Sequence, residues 1–368
     1  MINIKKIILR EINMKLVEPF ETSSGSVDNK RILLVEMKTN TYSAWSECVA
    51  QQIPDYSPET IDTCWLMIEK FLAPKLLNNS IDHPKDVFNR LEKNIRGNLM
   101  AKAAVEMGTW GLYANMTNQS LSSLIKGTRK QVETGVSIGI QKDPETLLKK
   151  VDESVKLGYG KIKIKIQPGN DFPFIDIVRK KYPKIKLMVD ANNAYNLSDD
   201  FSKFDGYNLI MLEQPLAWDD VYQHAQLQKK LKTPVCLDES ITSLAKAKEM
   251  IALKSGQIIN IKPGRVGGFT PSIDIHNICQ ENNIPVWCGG MLETGIGRAY
   301  NIALASLPNF SIPGDLSPSA RYWKKDIVTP EWTMSDDGLM TVPNKSGLGV
   351  EVDEEKIESI TIKKLELS

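Results

Sequence analysis

The stretch that decides the fold is Gly160–Ile166, which reads GKIKIKI in a chain of 368 residues. Lysine and isoleucine alternate strictly, so a β-strand would carry the lysines on one face and the isoleucines on the other. Taken alone, the run is typical of an edge strand with a solvated lysine face, because lysine protects sheet edges from unwanted pairing. The segments that follow it favour a second interpretation, in which Lys163 and Lys165 point into an enclosed site. Lys161, nearer the start of the strand, is expected to keep the solvated structural role.

The composition excludes several classes of protein. With 46 basic and 45 acidic side chains the net charge is +1, so no electrostatic argument supports nucleic-acid or membrane partners. The opening residues carry charges among their apolar positions, and no run of 18 apolar residues occurs, so neither a signal peptide nor a membrane span is predicted. Five scattered cysteines without a CxxC pair argue against a disulfide framework or zinc ribbon and favour a reducing cytoplasm.

The first part of the chain, residues 1–125, predicts an α+β capping domain. Its predicted strands are Ile2–Val17, Arg31–Met37 and Ala44–Ala50, and its predicted helices begin at Ser57 and cover Asn98–Asn115. Between the first two strands, Glu18–Lys30 is polar and predicts a loop that carries one aromatic residue, Phe20. A hairpin connection and a lid over a ligand are both consistent with a loop of this length.

From residue 131 onward, short apolar strands alternate with amphipathic helical segments. The predicted strands are Glu133–Ile138, Lys161–Ile166, Lys186–Asp190, Leu209–Glu213, Val235–Asp238, Ile258–Lys262, Pro285–Cys288 and Phe310–Gly314. The predicted helices between them are Pro144–Leu157, Phe172–Lys181, Val221–Leu231, Leu244–Leu253 and Pro271–Asn282. This alternation predicts an α/β fold of the TIM-barrel type over residues 126–318. Residues 319–368 are expected to pack back on the capping domain.

Three consecutive predicted strands end in a carboxylate: Asp190, Glu213 and Asp238. Strand ends of such barrels meet at one face, where three anions in one pocket are costly without a cation. Hard oxygen ligands of this kind suit Mg²⁺, with Mn²⁺ or another divalent cation as alternatives. The competing interpretation is that the three residues are independent helix N-caps.

Two lysines flank this predicted metal site. Lys165 ends the strand before the carboxylates and Lys262 ends the strand after them. Lys163 is expected to lower the pKa of Lys165, and Arg265 either does the same for Lys262 or forms a salt bridge. The chemistry predicted is removal of a proton α to a carboxylate, with an enediolate stabilised by the metal. Two bases permit a 1,1-proton transfer, and one base permits elimination or cycloisomerisation.

The motifs KIKIK, DAN, EQP, DES and IKPGRVGG occur in this order at the predicted strand ends. This pattern resembles the muconate-lactonising-enzyme subgroup of the enolase superfamily, in which a lysine or histidine base works with Mg²⁺. PFETSSG, VWCGGMLETGIGRA and GDLSPSARYW add a similarity to o-succinylbenzoate synthases and N-acylamino acid racemases. The resemblance implies a modified (β/α)7β barrel beneath the α+β capping domain.

The resemblance also implies roles for individual residues. Lys165 is the base on one face of the substrate and Lys262 acts on the opposite face. Asp190, Glu213 and Asp238 match metal ligands. The implied supporting and substrate-lining residues are Asn192, Glu239, Ser137, Gly290 and Met291, together with the loop that carries Phe20.

The activity implied is dehydration of 2-succinyl-6-hydroxy-2,4-cyclohexadiene-1-carboxylate to o-succinylbenzoate in menaquinone synthesis. Racemisation of N-succinylamino acids, alone or beside it, is the alternative, and muconate-type cycloisomerisation stays open. A dipeptide epimerase is disfavoured because Asp315-Leu316-Ser317 replaces the expected Asp-x-Asp, and a non-catalytic binding protein because no predicted ligand or base is missing. A small carboxylate substrate and assembly as a homo-oligomer are expected.

Overall fold

Both ends of the chain meet in one antiparallel sheet of the computed structural model, which describes residues 1–22 and 25–368. The strand order in this capping sheet is Thr361–Leu367, Lys6–Thr22, Gly25–Lys38 and Ser43–Cys48. Its apolar side chains pack beneath a long helix, Leu99–Thr117. A further short pair, Ile2–Asn3 with Ser80–Ile81, lies beside the sheet.

The segment Glu18–Lys30, predicted as a polar loop, is mostly strand. Lys6–Thr22 and Gly25–Lys38 form one long hairpin, with a register irregularity between Lys15 and Phe20. The loop prediction was therefore wrong at these positions, and Ser23 and Ser24 lie outside the described residues. Polar composition was misleading because an antiparallel hairpin exposes much of its surface to water and tolerates polar side chains there.

The helices of the capping domain are grouped around Leu99–Thr117, which contacts both the sheet and the barrel. They are Ile61–Met67 with a π-helical turn at Ile68–Leu72, Ala73–Leu76, a 3₁₀ turn at Pro84–Asp86, Val87–Glu92, Leu99–Thr117 and Leu121–Leu124. Leu99–Thr117 is buried on most of its surface, which requires small residues at close contacts. A Cβ at Gly111 would lie 2.4 Å from the Tyr300 hydroxyl of the barrel, so glycine allows this approach.

In the part of the chain that the structure describes, seven parallel strands follow one another in sequence order around the barrel. These barrel strands one to seven are Gly135–Ile138, Lys161–Lys165, Leu187–Asp190, Leu212–Glu213, Val235–Leu237, Ile258–Ile261 and Val286–Cys288. The prediction of a TIM-type barrel with an α+β capping domain is confirmed.

The predicted eighth strand, Phe310–Gly314, is not a regular strand. Gly314 forms an isolated parallel bridge to Thr134, and its carbonyl accepts a hydrogen bond of 2.6 Å from Gly135 N. On the other side, Asp315 N donates to Cys288 O over 2.9 Å. The segment therefore closes the barrel between strands seven and one by a few separate hydrogen bonds and not by a regular ladder, and two prolines near it lack ladder donors.

Helices cover the outside of the barrel between successive strands. They are Pro144–Lys156, Phe172–Lys181, Tyr222–Gln228, Leu244–Leu253, Pro263–Val266, Phe269–Glu281 and Gly295–Ala305, with a 3₁₀ turn at Ser202–Gly206 between strands three and four. The isoleucines of barrel strand two belong to the main hydrophobic core. Its lysines therefore occupy the opposite, interior side of the strand.

The C-terminal residues run from the barrel back to the capping sheet. After a 3₁₀ turn at Ser319–Arg321, Leu339–Thr341 pairs with Gln131–Glu133, and Val328–Thr329 pairs with Glu351–Val352. Helix Glu354–Ile360 then leads into Thr361–Leu367, which pairs with Lys6–Thr22. Among the described residues, no helix has the length and apolar character needed to cross a membrane.

Candidate active site

Parallel register brings the predicted catalytic and metal-binding residues to one end of the barrel. Lys165 is paired with Asp190 across strands two and three, and Asp190 with Glu213 across strands three and four. Asp238 follows strand five, whose Cys236 pairs with Glu213. All three carboxylates are at most 1% exposed. Strand register thus assembles residues that are far apart in sequence.

Lys165 is held by the strand next to its own. Its Nζ donates hydrogen bonds of 2.6 Å to Asp190 Oδ2 and 2.5 Å to Asn192 Oδ1. Asn192 has a positive φ of 40°, and its Nδ2 donates to Glu239 Oε1 over 3.0 Å. Asn192 therefore links the lysine to the segment after strand five.

Lys262 occupies the opposite side of the barrel mouth. Its Nζ donates to Asp238 Oδ2 over 2.7 Å and to the Tyr56 hydroxyl over 3.0 Å. Burial disfavours the ammonium form, but Tyr56 and the carboxylates of Glu239 and Glu213 favour it more strongly, so the pKa of Lys262 is raised. In this arrangement Lys262 is a cation at neutral pH.

Arg265 forms a salt bridge to Asp238. Its guanidinium also donates to the Tyr56 hydroxyl over 2.9 Å and to Ile241 O over 2.8 Å. This geometry favours the salt-bridge role of Arg265 over a direct effect on the pKa of Lys262, because the arginine and the lysine share Asp238 as their partner.

Lys163 lies at the centre of the barrel among three carboxylates. Its Nζ is 2.6 Å from Asp315 Oδ2, 3.1 Å from Glu213 Oε2 and 3.3 Å from Asp190 Oδ2. Burial opposes its charge, but these carboxylates outweigh burial and raise the pKa of Lys163 well above its usual value. Lys163 is therefore cationic, as its predicted role requires, and its charge is compensated by these neighbours.

Lys161 is not the solvated structural lysine that was expected. It is fully buried, with its Nζ 3.1 Å from Asp315 Oδ1 and 3.7 Å from the centre of the Trp287 ring. The expectation failed because barrel strand two has hydrogen-bonded neighbours on both sides and is not an edge strand. A cation–π contact and an ion pair replace hydration of the ammonium group.

A cavity of about 370 Å³ lies between the barrel mouth and the capping domain. The barrel contributes Ser137, Lys165, Lys262 and the loop 290–292 to its wall. The capping domain contributes Phe20, residues 25–31 and residues in the segment 51–56. The structure thus brings Ser137, Gly290, Met291 and Phe20 together around the lysines. The volume suits a small ligand.

The carboxylates fit a divalent cation by their chemistry, although they contact lysines here. Within residues 1–22 and 25–368, no three His, Cys, Asp or Glu side chains form a ready-made metal-binding group. Asp190, Glu213 and Asp238 each contact a lysine ammonium group instead. Three buried carboxylates on adjacent strands nevertheless supply the donors that Mg²⁺ prefers, and the buried Glu239 Oε2 has no hydrogen-bond partner among the described residues.

Comparison with known proteins agrees with this geometry. Residues 4–126 match the model of the mandelate racemase / muconate lactonizing enzyme N-terminal domain, and residues 146–356 match that of the enolase C-terminal domain-like family. The chain belongs to this family of the enolase superfamily.

Among the relatives of this enolase-superfamily member, two curated proteins carry different names. The chain is 47% identical to an o-succinylbenzoate synthase of Geobacillus kaustophilus, covering 98% of this chain and 96% of the relative. It is 40% identical to an N-succinylamino acid racemase of Thermus thermophilus, covering 96% of both. A solved enolase-superfamily structure from Listeria innocua superposes with a TM-score of 0.96 at 40% identity, covering 100% of this chain and 99% of that one. Both curated relatives are enzymes.

Three contacts of the site were not predicted. Asn260 Nδ2 donates to Glu213 Oε1 over 2.8 Å. Asn260 lies two residues before Lys262, so the alternation of a strand predicts that both side chains point to the same side. Asp315 bonds to Lys161 and Lys163, and its position after the closing segment of the barrel was a weaker signal. Tyr56 reaches Lys262 from the capping domain, and nothing in its local sequence indicates this contact.

Proposed function

We propose that this enolase-superfamily member removes a proton α to a carboxylate, and that its reaction is o-succinylbenzoate synthesis. The observation that carries the proposal is that Lys165 and Lys262 line one cavity from opposite sides of three buried carboxylates. The relative with 47% identity that is named o-succinylbenzoate synthase supports this choice of reaction.

The proposed roles of the lysines follow from their positions. Lys165 is proposed to take the α-proton and to return it to the departing hydroxyl group, which leaves as water. Lys262 remains a cation on the other face, where it stabilises the enediolate charge. Its contacts with Asp238 and the Tyr56 hydroxyl favour the charged form and support this assignment for dehydration. Lys163 adds a second fixed positive charge below the reacting carboxylate.

Asp190, Glu213 and Asp238 are the proposed ligands of Mg²⁺, which would supply positive charge to stabilise the enediolate. Asn192 and Glu239 are proposed to hold this arrangement from the neighbouring strand ends. Ser137, Gly290, Met291 and Phe20 are proposed to contact the substrate, because they line the cavity. Arg265 is proposed to keep Asp238 in place.

Racemisation of N-succinylamino acids is the second candidate activity. It is favoured by the presence of a lysine on each side of the cavity, since 1,1-proton transfer requires a base on one face and an acid on the other. The relative with 40% identity that is named N-succinylamino acid racemase supports it independently. Both reactions begin with the same proton removal, so one site is suited to both.

The test is an assay of both substrates with one preparation of enzyme and added Mg²⁺. The cyclohexadiene carboxylate is expected to be dehydrated, and the synthase is expected to be the more efficient activity by kcat/KM. Addition of a chelator is expected to stop turnover without unfolding the protein, because the carboxylates retain lysine partners. Inactivity with both substrates in the presence of Mg²⁺ contradicts the proposal.

A further inference from the structure

Lys30 is a buried lysine of the capping hairpin that the proposed chemistry does not use. Its side chain is 8% exposed, and its Nζ donates hydrogen bonds of 2.7 Å to both Met291 O and Leu292 O. These carbonyls belong to the loop that follows barrel strand seven and lines the cavity. One ammonium group thus connects the two walls of the cavity.

The loop that Lys30 binds has a backbone that requires support. Leu292 has a φ of 57°, in the left-handed region that is unfavourable for a residue with a Cβ. Such a conformation persists only where the surroundings hold it. Met291 N donates to Glu293 Oε1 over 2.9 Å, so the barrel holds one side of the loop. Lys30 holds the two carbonyls from the other side.

A second buried charge of the capping domain acts on the continuation of the same loop. Glu47 Oε2 accepts hydrogen bonds from Thr294 N over 3.0 Å and from Gly297 N over 3.2 Å, at the start of helix Gly295–Ala305. Its other oxygen, Oε1, is 3.9 Å from Lys30 Nζ and has no hydrogen-bond partner among the described residues. Lys30 and Glu47 are therefore neighbours of opposite charge type that both hold the loop.

We propose that Lys30 is a positioning residue for substrate binding, which joins the capping hairpin to the Gly290–Leu292 wall so that both walls enclose the substrate as one unit. This inference rests on the proposed function for the identity of the substrate. The joint, which consists of the hydrogen bonds from Lys30 to Met291 O and Leu292 O, is a property of the protein and is measurable without turnover. Lys30 acts through the loop and does not take part in proton transfer.

Replacement of Lys30 by methionine removes the ammonium group and keeps most of the side-chain volume. The wall contacts the substrate before and during the reaction, so K30M is expected to raise KM about tenfold while kcat changes less than about twofold. K30R, which keeps a buried cation with several N–H donors, is expected to restore most of the substrate affinity. The matched control is K15M, because Lys15 lies in the same hairpin with its side chain 73% exposed.

Hydrogen–deuterium exchange tests the joint directly in the enzyme without substrate. Amides of residues 291–297 are expected to exchange about tenfold faster in K30M than in wild type, with no change in K15M. Unchanged exchange in K30M overturns the proposal. A raised KM with unchanged exchange also overturns it, since Lys30 would then bind the substrate itself. If K30M does not fold, K30Q, which keeps an N–H donor, is used for the same two measurements with the same expected directions.

The two proposals fail in different experiments. Wild-type enzyme that is inactive with both substrates contradicts the proposed function and leaves the exchange result for residues 291–297 intact. Active wild-type enzyme with identical exchange in K30M contradicts the joint alone.

Discussion

The two walls of the cavity are built in different ways. On the barrel wall, Lys165 contacts Asp190 and Lys262 contacts Asp238, at separations of 25 and 24 residues along the chain. On the capping wall, Tyr56 contacts Lys262 over 206 residues and Lys30 contacts Met291 over 261. The barrel wall repeats one strand–helix unit, whereas the capping wall depends on docking of two domains. We infer that the barrel wall carries out proton transfer and that the capping wall fits the substrate. Substitutions in the barrel wall are therefore expected to lower kcat, and those in the capping wall to raise KM.

The largest effect is expected at Lys165 on the barrel wall. Lys165→Ala removes the proposed base, so kcat is expected to fall by about a thousandfold or more for both dehydration and racemisation. Steady-state assays of both substrates measure this, with circular dichroism to show that the fold is retained. Appreciable synthase activity in this variant would refute the assignment of the base.

Lys262 is expected to separate the two reactions. Lys262→Ala is expected to abolish racemisation, because proton delivery to the opposite face is lost. Dehydration is expected to fall less, by about a hundredfold, because only charge stabilisation is lost. Exchange of the α-proton in D₂O, followed by NMR for each enantiomer, measures the effect on each face. Racemisation at the wild-type rate in this variant would exclude a two-base mechanism.

A smaller effect is expected where the two walls meet, at Tyr56. Tyr56→Phe removes a hydroxyl that accepts from Lys262 and Arg265 and lies 3.3 Å from Asp238 Oδ2. Loss of this partner is expected to lower kcat about tenfold, with a stronger effect on racemisation than on dehydration. Measuring kcat and KM separately for both substrates tests this. A change in KM alone would place Tyr56 among the substrate-contacting residues of the capping wall.

The smallest effect is expected at Phe20, in the capping hairpin. Phe20→Ala removes a half-buried aromatic side chain from the cavity wall and is expected to raise KM several-fold with little change in kcat. Val17→Ala is a suitable control, because Val17 is 54% exposed in the same strand. A fall in kcat in Phe20→Ala as large as that expected for Lys262→Ala would show that the capping wall contributes to proton transfer and not only to substrate binding.

Some errors in the sequence-based prediction have identifiable physical causes. The polar segment Glu18–Lys30 was predicted as a loop, but backbone pairing in a hairpin does not depend on apolar side chains. Lys161 was predicted to be solvated, because a local pattern does not show whether a strand has neighbours on both sides. Phe310–Gly314 was predicted as a regular strand from its apolar residues, but it closes the barrel only by an isolated bridge at Gly314.

The sequence by itself determined the barrel, the faces of strand two and the carboxylates at three strand ends. It could do so because period-two alternation and repeated strand–helix units are local properties. Only the tertiary structure decided that Lys161 and Lys163 share Asp315, that Tyr56 reaches Lys262, and that Lys30 holds the loop after strand seven. These contacts join segments from opposite ends of the chain, and their energies depend on how the capping domain packs on the barrel.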